Sequence, residues 1–308
     1  MRERTVGLLF TVIGAALFGT LGIFGEAAAS VGLSTATLLS YRFVGATVIF
    51  WGLSVFRGGI PVLRGRTLAA ELGLGVVYGV MSVAYFESLA WLSAGVAALL
   101  LFTYPVQVTL VSALGLSEPV TLPKLLALLA AVGGVGLVVG GGTAVALPGV
   151  LLVGLASVCY TVYATGTRVA VADVAPLVHA AYVFVGLSAS TLLYGAATNT
   201  LRVPTAPTHW ALVVGITVLG TILPMILFTE GLARIEASRA SIVSTSEPLT
   251  TVLLGVLLLG EPLTLSIAAG AALILAGVGL TSTAAERATR RWIGDAAADG
   301  LSILRDDA

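Results

Sequence analysis

The residue whose type and position most strongly suggest chemistry is Glu247, which lies in an apolar stretch directly before Pro248. At the centre of a membrane helix a charged side chain costs about 2.5–3.5 kcal/mol, so such residues usually face a cavity and have a function. Pro248 cannot donate to the carbonyl of Ser244 and should bend the helix. Hydroxyl side chains surround the pair: Ser241, Ser244, Thr245, Ser246, Thr250 and Thr251. Two roles fit Glu247: binding or coupling through its carboxyl group, or packing as a protonated residue hydrogen-bonded between helices.

A second proline, Pro105, occurs in a similar setting and is also predicted to bend its helix. It follows Tyr104 and has Thr103 and Gln107 close by. Tyr104 and Gln107 are candidates for substrate contact. The alternative is hydrogen bonding between helices, which contributes about 1 kcal/mol or less in membranes.

Arg42 and its neighbour Tyr41 form a further candidate, since an arginine is rare within an apolar stretch. Arg42 either forms an ion pair with Glu26 or faces a cavity, where it would attract an anionic group such as an α-carboxylate. Glu87 is a candidate for proton coupling.

Other polar residues are better explained by structure than by chemistry. Glu230 has Arg234 four residues later, the spacing of a surface ion pair. The two histidines, His179 and His209, have no Asp, Glu, Cys or His at metal-ligand spacing, so we expect no metal and interpret both as polar residues at the membrane interface.

The composition excludes most other classes of protein. The 308 residues are 58% hydrophobic and 10% charged with zero net charge, whereas soluble domains carry about 25% charged residues. An ordinary soluble enzyme, a nucleic-acid binder and a disordered chain are therefore excluded. The single cysteine cannot form an internal disulfide. The chain is an integral membrane protein in contact with the lipid bilayer.

Apolar stretches of about 20 residues predict membrane helices. Ten such stretches predict an all-α protein with ten transmembrane helices, at residues 5–27, 35–56, 69–91, 94–116, 121–141, 147–168, 175–197, 209–233, 237–259 and 263–283. Residues 284–308 are too polar to span and form a short tail.

The cations predict the orientation. With the N-terminus in the cytoplasm, ten spans bring the C-terminus back to the cytoplasm. Of the 15 Lys and Arg residues, Arg42 lies within a span and Arg202 lies outside the cell, which leaves 13 on the cytoplasmic side. Positive residues favour the cytoplasmic side, so we expect a multi-pass protein of the cell membrane with both termini inside.

The two halves of the chain repeat one another at an offset of 143 residues. The offset aligns SEPVTL at 117–122 with GEPLTL at 260–265, Pro105 with Pro248, and Glu87 with Glu230. The repeats cover residues 5–141 and 147–283. Because each has five spans, an odd number, the second must enter the membrane from the opposite side. Such inverted repeats are typical of transporters with a substrate site near the midplane.

These features resemble the EamA family of the drug/metabolite transporter superfamily. The most specific part lies within residues 240–280 and contains SEPLTTVLLGVLLLGEPLTLSIAAGAALILAGVGL, and residues 97–139 carry a weaker copy. The resemblance covers about residues 7–283. It implies a carrier of metabolites or amino acids, often an exporter, with both termini in the cytoplasm.

The sequence therefore predicts a secondary transporter of a small organic solute. No G-x-x-x-x-G-K-[ST] phosphate loop is present, so an electrochemical gradient of protons or another ion would drive uphill transport, with no cofactor. A lipid-carrier flippase is the alternative. A membrane-embedded enzyme is less favoured, because an activated nucleophile needs a nearby base and the histidines lie at helix ends. The motifs Gly75-x-x-x-Gly79 and Gly136-x-x-x-Gly140 suggest packing within the monomer or in a homodimer.

Overall fold

The computed structural model describes residues 2–56, 59–115, 122–140, 146–170, 174–234 and 244–280. Every regular element in these ranges is helical. The predicted turn at residues 117–119, the loop at 141–142 and the tail at 284–308 lie outside the described residues.

Seven helices come from the part of the chain before residue 141: α1 Arg2–Phe18, α2 Leu21–Ser30, α3 Thr35–Phe56, α4 Gly65–Ser88, α5 Ala94–Leu101, α6 Tyr104–Gly115 and α7 Leu122–Gly140. Six helices and one π-helical turn follow: α8 Leu147–Ala170, α9 Pro176–Ala197, α10 Pro207–Thr217, the π-turn Val218–Ile222, α11 Leu223–Leu232, α12 Ser246–Leu259 and α13 Leu265–Leu280.

Eight helical stretches are long and apolar enough to cross a membrane, in the positions of the first eight predicted spans. The helices α12 and α13, at the predicted ninth and tenth spans, are apolar but shorter as far as the structure describes them. The helical class is as predicted, and the count of ten spans stays a prediction.

Several of these stretches are interrupted near the middle. The first breaks at Gly19 and Thr20, between α1 and α2. The fourth breaks at Phe102 and Thr103, just before Pro105, whose missing N–H cannot continue the helix. The eighth contains the π-turn Val218–Ile222. Interrupted helices expose backbone groups that can face a ligand.

The two parts of the chain pack through matching pairs of helices. α4 packs on α8, and in the same way α11 packs on α1; α4 also packs on α9, as α10 packs on α3. The last helices of the two parts, α7 and α13, pack on each other. Each of these contacts thus has a counterpart in which the two repeats exchange roles, as a two-fold relation between the repeats would produce. The inverted relation itself stays a prediction.

The tightest of these contacts is the crossing of α4 and α9. A Cβ added to Gly75 would lie 2.8 Å from the Cα of Gly186 and closer still to the carbonyl oxygen of Val183. A Cβ added to Gly79 would overlap the hydroxyl of Ser190. The packing role predicted for Gly75 and Gly79 therefore describes a contact in which two helix backbones touch.

The other predicted glycine motif does not pack in the same way. A Cβ added to Gly136 or Gly140 on α7 would meet nothing within 4 Å among the described residues. The contact between α7 and α13 instead uses Gly134 and Gly270, where an added Cβ would lie 2.7 Å from the carbonyl of the opposite glycine.

The apolar interior joins the two parts of the chain. Fully buried side chains include Leu39 and Phe43 of α3, Leu187 of α9 and Ile216 of α10. Large aliphatic side chains on the outer faces are instead exposed, as at Leu193 and Leu257. This distribution fits helices surrounded by lipid, where exposed apolar surface has no cost.

Candidate functional site

A cavity of about 910 Å³, including its opening, lies between the interrupted helices. Its wall is largely aromatic but contains one arginine and one glutamate. The lining residues are Phe18, Leu21, Arg42, Tyr78, Met81, Ser82, Tyr85, Phe86, Ala98, Leu101, Phe102, Tyr104, Tyr160, Phe228, Ser244, Glu247, Pro248 and Thr251. The cavity therefore brings together residues from both repeats.

Arg42 on α3 is the positive group of this cavity, and its side chain is 3% exposed. Its Nε donates to Thr221 Oγ1 at 2.7 Å, and its Nη2 donates to the carbonyl of Gly220 at 3.5 Å. The guanidinium carbon lies 4.7 Å from the ring centroid of Phe43 and 5.9 Å from that of Phe86. No carboxylate of the described residues forms an ion pair with Arg42.

The π-turn in the second repeat supplies the acceptors for Arg42. Thr221 donates to the carbonyl of Ile216, five residues earlier, at 3.0 Å, while its hydroxyl oxygen and the carbonyl of Gly220 accept from the arginine. Single π-helical turns occur often at functional sites. Here the turn fixes a buried cation at the wall of the cavity.

Glu247, in the first turn of α12, provides the carboxyl group of the same cavity and is half-buried. Within the described part of the chain no arginine, lysine or histidine forms an ion pair with it. Its neighbour Thr251 donates to the carbonyl of Gly19 at 2.9 Å, which joins α12 to the break between α1 and α2. The carboxyl group is thus carried by a helix end that is anchored to the first repeat.

Tyrosine rings form the wall between the two charges. Tyr104 makes an edge contact with Tyr160, with ring centroids 4.2 Å apart. Tyr78 stacks on Tyr163 at 4.8 Å. The phenol of Tyr78 lies within electrostatic range of both Arg42 and Glu247. An apolar substrate side chain would therefore meet ring faces, while its charged groups would meet Arg42 and Glu247.

Four of the predicted site residues lie at the cavity, namely Arg42, Tyr104, Ser244 and Glu247, together with Pro248. Tyr41 instead packs edge-on against Trp210, and Thr250 packs against Gly19. Glu87 lies at a separate small cavity and accepts a hydrogen bond of 3.0 Å from the hydroxyl of Tyr194.

Gln107 also lies away from the cavity. Its amide nitrogen donates to Ser157 Oγ at 2.6 Å and to Thr103 Oγ1 at 3.3 Å. The bond to Ser157 joins α6 to α8, so Gln107 makes the interhelical hydrogen bond that was the alternative to substrate contact. Pro105 is not among the lining residues, but the helix break that it follows exposes Phe102 and Tyr104 to the cavity.

The structure does not pair Glu26 with Arg42. Glu26 accepts from the backbone N–H of Ala94 at 2.8 Å, and Glu261 accepts from the same N–H at 2.7 Å and from that of Gly95 at 3.1 Å. Two carboxyl groups, one from each repeat, thus cap the first turn of α5. This gives the repeated Glu-Pro motif a structural role at Glu261.

Two other expectations have different outcomes. Glu230 and Arg234 form the predicted surface ion pair, with 2.7 Å between Oε2 and Nη1. His179, interpreted as a polar residue at the membrane interface, lies in the first turn of α9 and has a carboxylate partner that the sequence did not indicate. Its Nδ1 lies 2.7 Å from Oε2 of Glu71, a fully buried carboxylate on α4 that was not among the candidates.

The sequence did not single out the other aromatic residues of the wall, above all Tyr78, Tyr85 and Tyr160. The repeat offered a signal for the wall, since it aligns Pro105 with Pro248 and thereby marks the helices that converge on the cavity. Tyrosine spacing alone carries no such signal, because the helices are apolar on all sides.

The eight apolar stretches of membrane length in the described part of the chain mark a multi-pass membrane protein, and its cavity has an arginine and a glutamate on its wall. The model of the EamA-like transporter family matches residues 5–140 and 147–283. The chain belongs to this family and is a membrane transporter.

Similar proteins carry consistent names. The chain is 29% identical over 275 residues to the uncharacterized transporter YcbK of Bacillus subtilis (strain 168), covering 85% of this chain and 88% of that protein. It is 27% identical over 257 residues to an uncharacterized transporter of Archaeoglobus fulgidus, covering 80% and 88%. A solved crystal structure with 22% identity superposes with a TM-score of 0.63 over 92% of this chain and 98% of that one, which supports the fold.

Proposed function

We propose that this protein is a secondary transporter that carries a small zwitterionic solute of the amino-acid type across the cell membrane by alternating access. The observation that carries the proposal is the presence of Arg42 and Glu247, each without an ion-pair partner among the described residues, at one cavity. The relatives named as transporters support the general class, and the charges at the cavity support the type of solute.

Burial explains why the two charges favour a zwitterion. A buried charge without a counter-ion is costly, and an ion of opposite sign that reaches it recovers part of that cost. The guanidinium of Arg42 suits a carboxylate, to which it can donate two parallel hydrogen bonds. The carboxylate of Glu247 suits an ammonium group. A solute with both groups can pair with Arg42 and Glu247 at the same time, whereas a simple amine or acid can pair with only one of them.

The aromatic wall favours an apolar or aromatic side chain on the solute. Tyr78, Tyr104 and Tyr160 present ring surfaces next to Phe86 and Phe228. Ligand sites combine such apolar linings with a few polar groups that fix the orientation of the ligand. We propose that the rings hold the side chain while Arg42 and Glu247 orient the backbone groups.

Thermal unfolding of the purified protein tests the solute class with three matched probes. L-phenylalanine carries both charged groups, 2-phenylethylamine lacks the carboxylate, and 3-phenylpropanoate lacks the amine. We expect the melting temperature to rise with L-phenylalanine and with other apolar amino acids, because a ligand at about 100 times its Kd adds about 2.7 kcal/mol of stability. Equal shifts with all three probes, or with none of the amino acids, would contradict the proposal.

The orientation in the membrane is a separate proposal, tested by reporter fusions. With 13 of the 15 cations assigned inside, fusions after residues 30, 142 and 204 should be external, and fusions after residues 62, 119 and 308 should be cytoplasmic. The fusion after residue 142 is the most informative, because that loop separates the two repeats. A cytoplasmic signal there would be incompatible with five spans in each repeat.

A further inference from the structure

Glu71, which is fully buried, and His179, which is partly buried, form an ionisable pair outside the substrate cavity. Glu71 on α4 is fully buried, and its Oε2 lies 2.7 Å from Nδ1 of His179 on α9. The other oxygen of Glu71, Oε1, is buried and has no hydrogen-bond partner among the residues that the structure describes. Packing alone does not account for a carboxylate with an unsatisfied oxygen in this position, because such a group is expensive to bury.

The pair is connected to the cavity through tyrosine rings. Nε2 of His179 lies 3.2 Å from the hydroxyl of Tyr163 on α8, and the ring of Tyr163 stacks on Tyr78 with centroids 4.8 Å apart. Tyr78 lines the cavity that holds Arg42 and Glu247. Three contacts therefore lead from the buried carboxylate to the substrate site.

The charged groups around the pair determine what it can bind. Tyr163 faces His179 from α8, and Tyr78 lies beyond Tyr163 on α4 itself. Among the described residues, including those of α3 and α5, no arginine or lysine forms an ion pair with Glu71. One proton shared by carboxylate and imidazole leaves the pair neutral overall, and its loss leaves a buried negative charge.

We propose that Glu71 and His179 form the proton-binding site that couples transport to a proton gradient, which rests on the proposed function. α4 and α9 belong to different repeats, and their backbones touch at Gly75 and Gly186, four and seven residues from the pair. Alternating access requires the repeats to move relative to each other. Movement of α4 against α9 separates the carboxylate from the imidazole and releases the proton, and binding of a proton favours the closed pair.

The first test measures access to the cavity and needs no substrate. In a Cys159→Ser background, Ser82→Cys places a thiol on the cavity wall, and Thr198→Cys at the exposed end of α9 serves as a reference. Intact cells with equal internal and external pH are labelled with an impermeant maleimide. The ratio of the two labelling rates removes differences in reagent and cell density, and comparing the parent with Glu71→Gln at each pH corrects for the titration of the thiols themselves.

We expect this ratio to change about five-fold between about pH 5.5 and about pH 8.5, where an imidazole gains or loses its charge. Glu71→Gln can still accept a hydrogen bond from His179 but cannot ionise, so its ratio should not vary with pH. His209→Gln, at the other and exposed histidine, should behave like the parent protein. A ratio that is constant in the parent, or that keeps its pH dependence in Glu71→Gln, overturns the proposal.

The second test separates coupling from transport in proteoliposomes with L-phenylalanine. Counterflow exchange needs no net proton movement, whereas accumulation driven by a pH gradient does. Glu71→Gln and His179→Gln should keep counterflow within about two-fold and lose at least about 90% of the gradient-driven accumulation, since only the latter requires the proton. If both variants fail to fold, as judged by melting of the purified proteins, the pair is structural and the proposal is wrong.

Failure of the proposed function has a different signature. If no zwitterion shows counterflow in the parent protein while the access ratio responds to pH only when Glu71 is present, the solute class is wrong and the proton site stands. Counterflow without any gradient-driven accumulation in the parent overturns the proton site alone.

Discussion

Replacing Arg42 with methionine is expected to weaken the binding of L-phenylalanine about 10- to 150-fold, because hydrogen bonds to a charged group contribute about 1.5–3 kcal/mol. Methionine keeps an unbranched side chain of similar length but cannot donate to a carboxylate. The measurement is the Kd from ligand-induced shifts in melting temperature, combined with the rate of counterflow.

Two controls make the result specific. Binding of 2-phenylethylamine, which has no carboxylate, should be unchanged or stronger in Arg42→Met. The ligand-free protein should melt at an equal or higher temperature, because replacing a buried charge with an apolar side chain is often stabilising. A much lower melting temperature would show that Arg42 is needed for the π-turn of residues 218–222. Normal binding of L-phenylalanine would show that Arg42 is not needed for the substrate.

Glu247→Gln is expected to insert and fold normally but to lose most transport of the native solute. Glutamine keeps the shape and most hydrogen bonding of glutamate but removes the charge that holds the ammonium group. We expect a loss of at least about 10-fold in counterflow, again from a charge-assisted hydrogen bond. Glu247→Asp should retain part of the activity, limited by the shorter reach of its carboxylate.

Flux and melting temperature should be measured on the same preparation of each variant. Normal flux in Glu247→Gln would make Glu247 a packing residue, which was the alternative considered from the sequence. The comparison with Glu71→Gln is informative, because loss of Glu247 should abolish exchange itself, whereas loss of Glu71 should remove only the response to the pH gradient.

The sequence singled out the two charged residues that line the cavity, although it left open whether Arg42 pairs with Glu26 and whether Glu247 only packs. Arg42 and Glu247 stand out because charged side chains are rare in apolar stretches. Since a charged side chain is costly in a membrane, its presence there indicates a function. The breaks in the helices were also readable near Pro105. Composition and segment length predicted a helical membrane protein because both follow from the solvent and not from details of packing.

The sequence did not indicate which side of each helix faces the cavity. In a soluble protein the apolar face of a helix indicates its buried side. Membrane helices are apolar on all sides, so nothing in the sequence distinguished Tyr78, which lines the cavity, from Tyr41, which packs on Trp210. For the same reason the sequence left Gln107 open between substrate contact and the hydrogen bond between helices that it makes.

The pairing of Glu71 with His179 was hidden for a further reason. The predicted third span began at residue 69, which put Glu71 at its edge, whereas the helix begins at Gly65. The two residues are 108 positions apart on helices from different repeats. Only the packing of α4 on α9 brings them together, and the sequence of neither helix indicates which helix it packs against.

The touching backbones at Gly75 and Gly186 make the crossing of α4 and α9 a fulcrum. Helices in such close contact cannot slide, but one can rock on the other. At about 1.5 Å per residue, Glu71 lies about 6 Å from this fulcrum and the far end of α4 about 20 Å. A rocking of about 10° would thus shift Glu71 by about 1 Å and the end of α4 by about 3.5 Å. In the proposed mechanism, this lever ratio would convert the breaking of one 2.7 Å contact into a larger movement at the far end of α4.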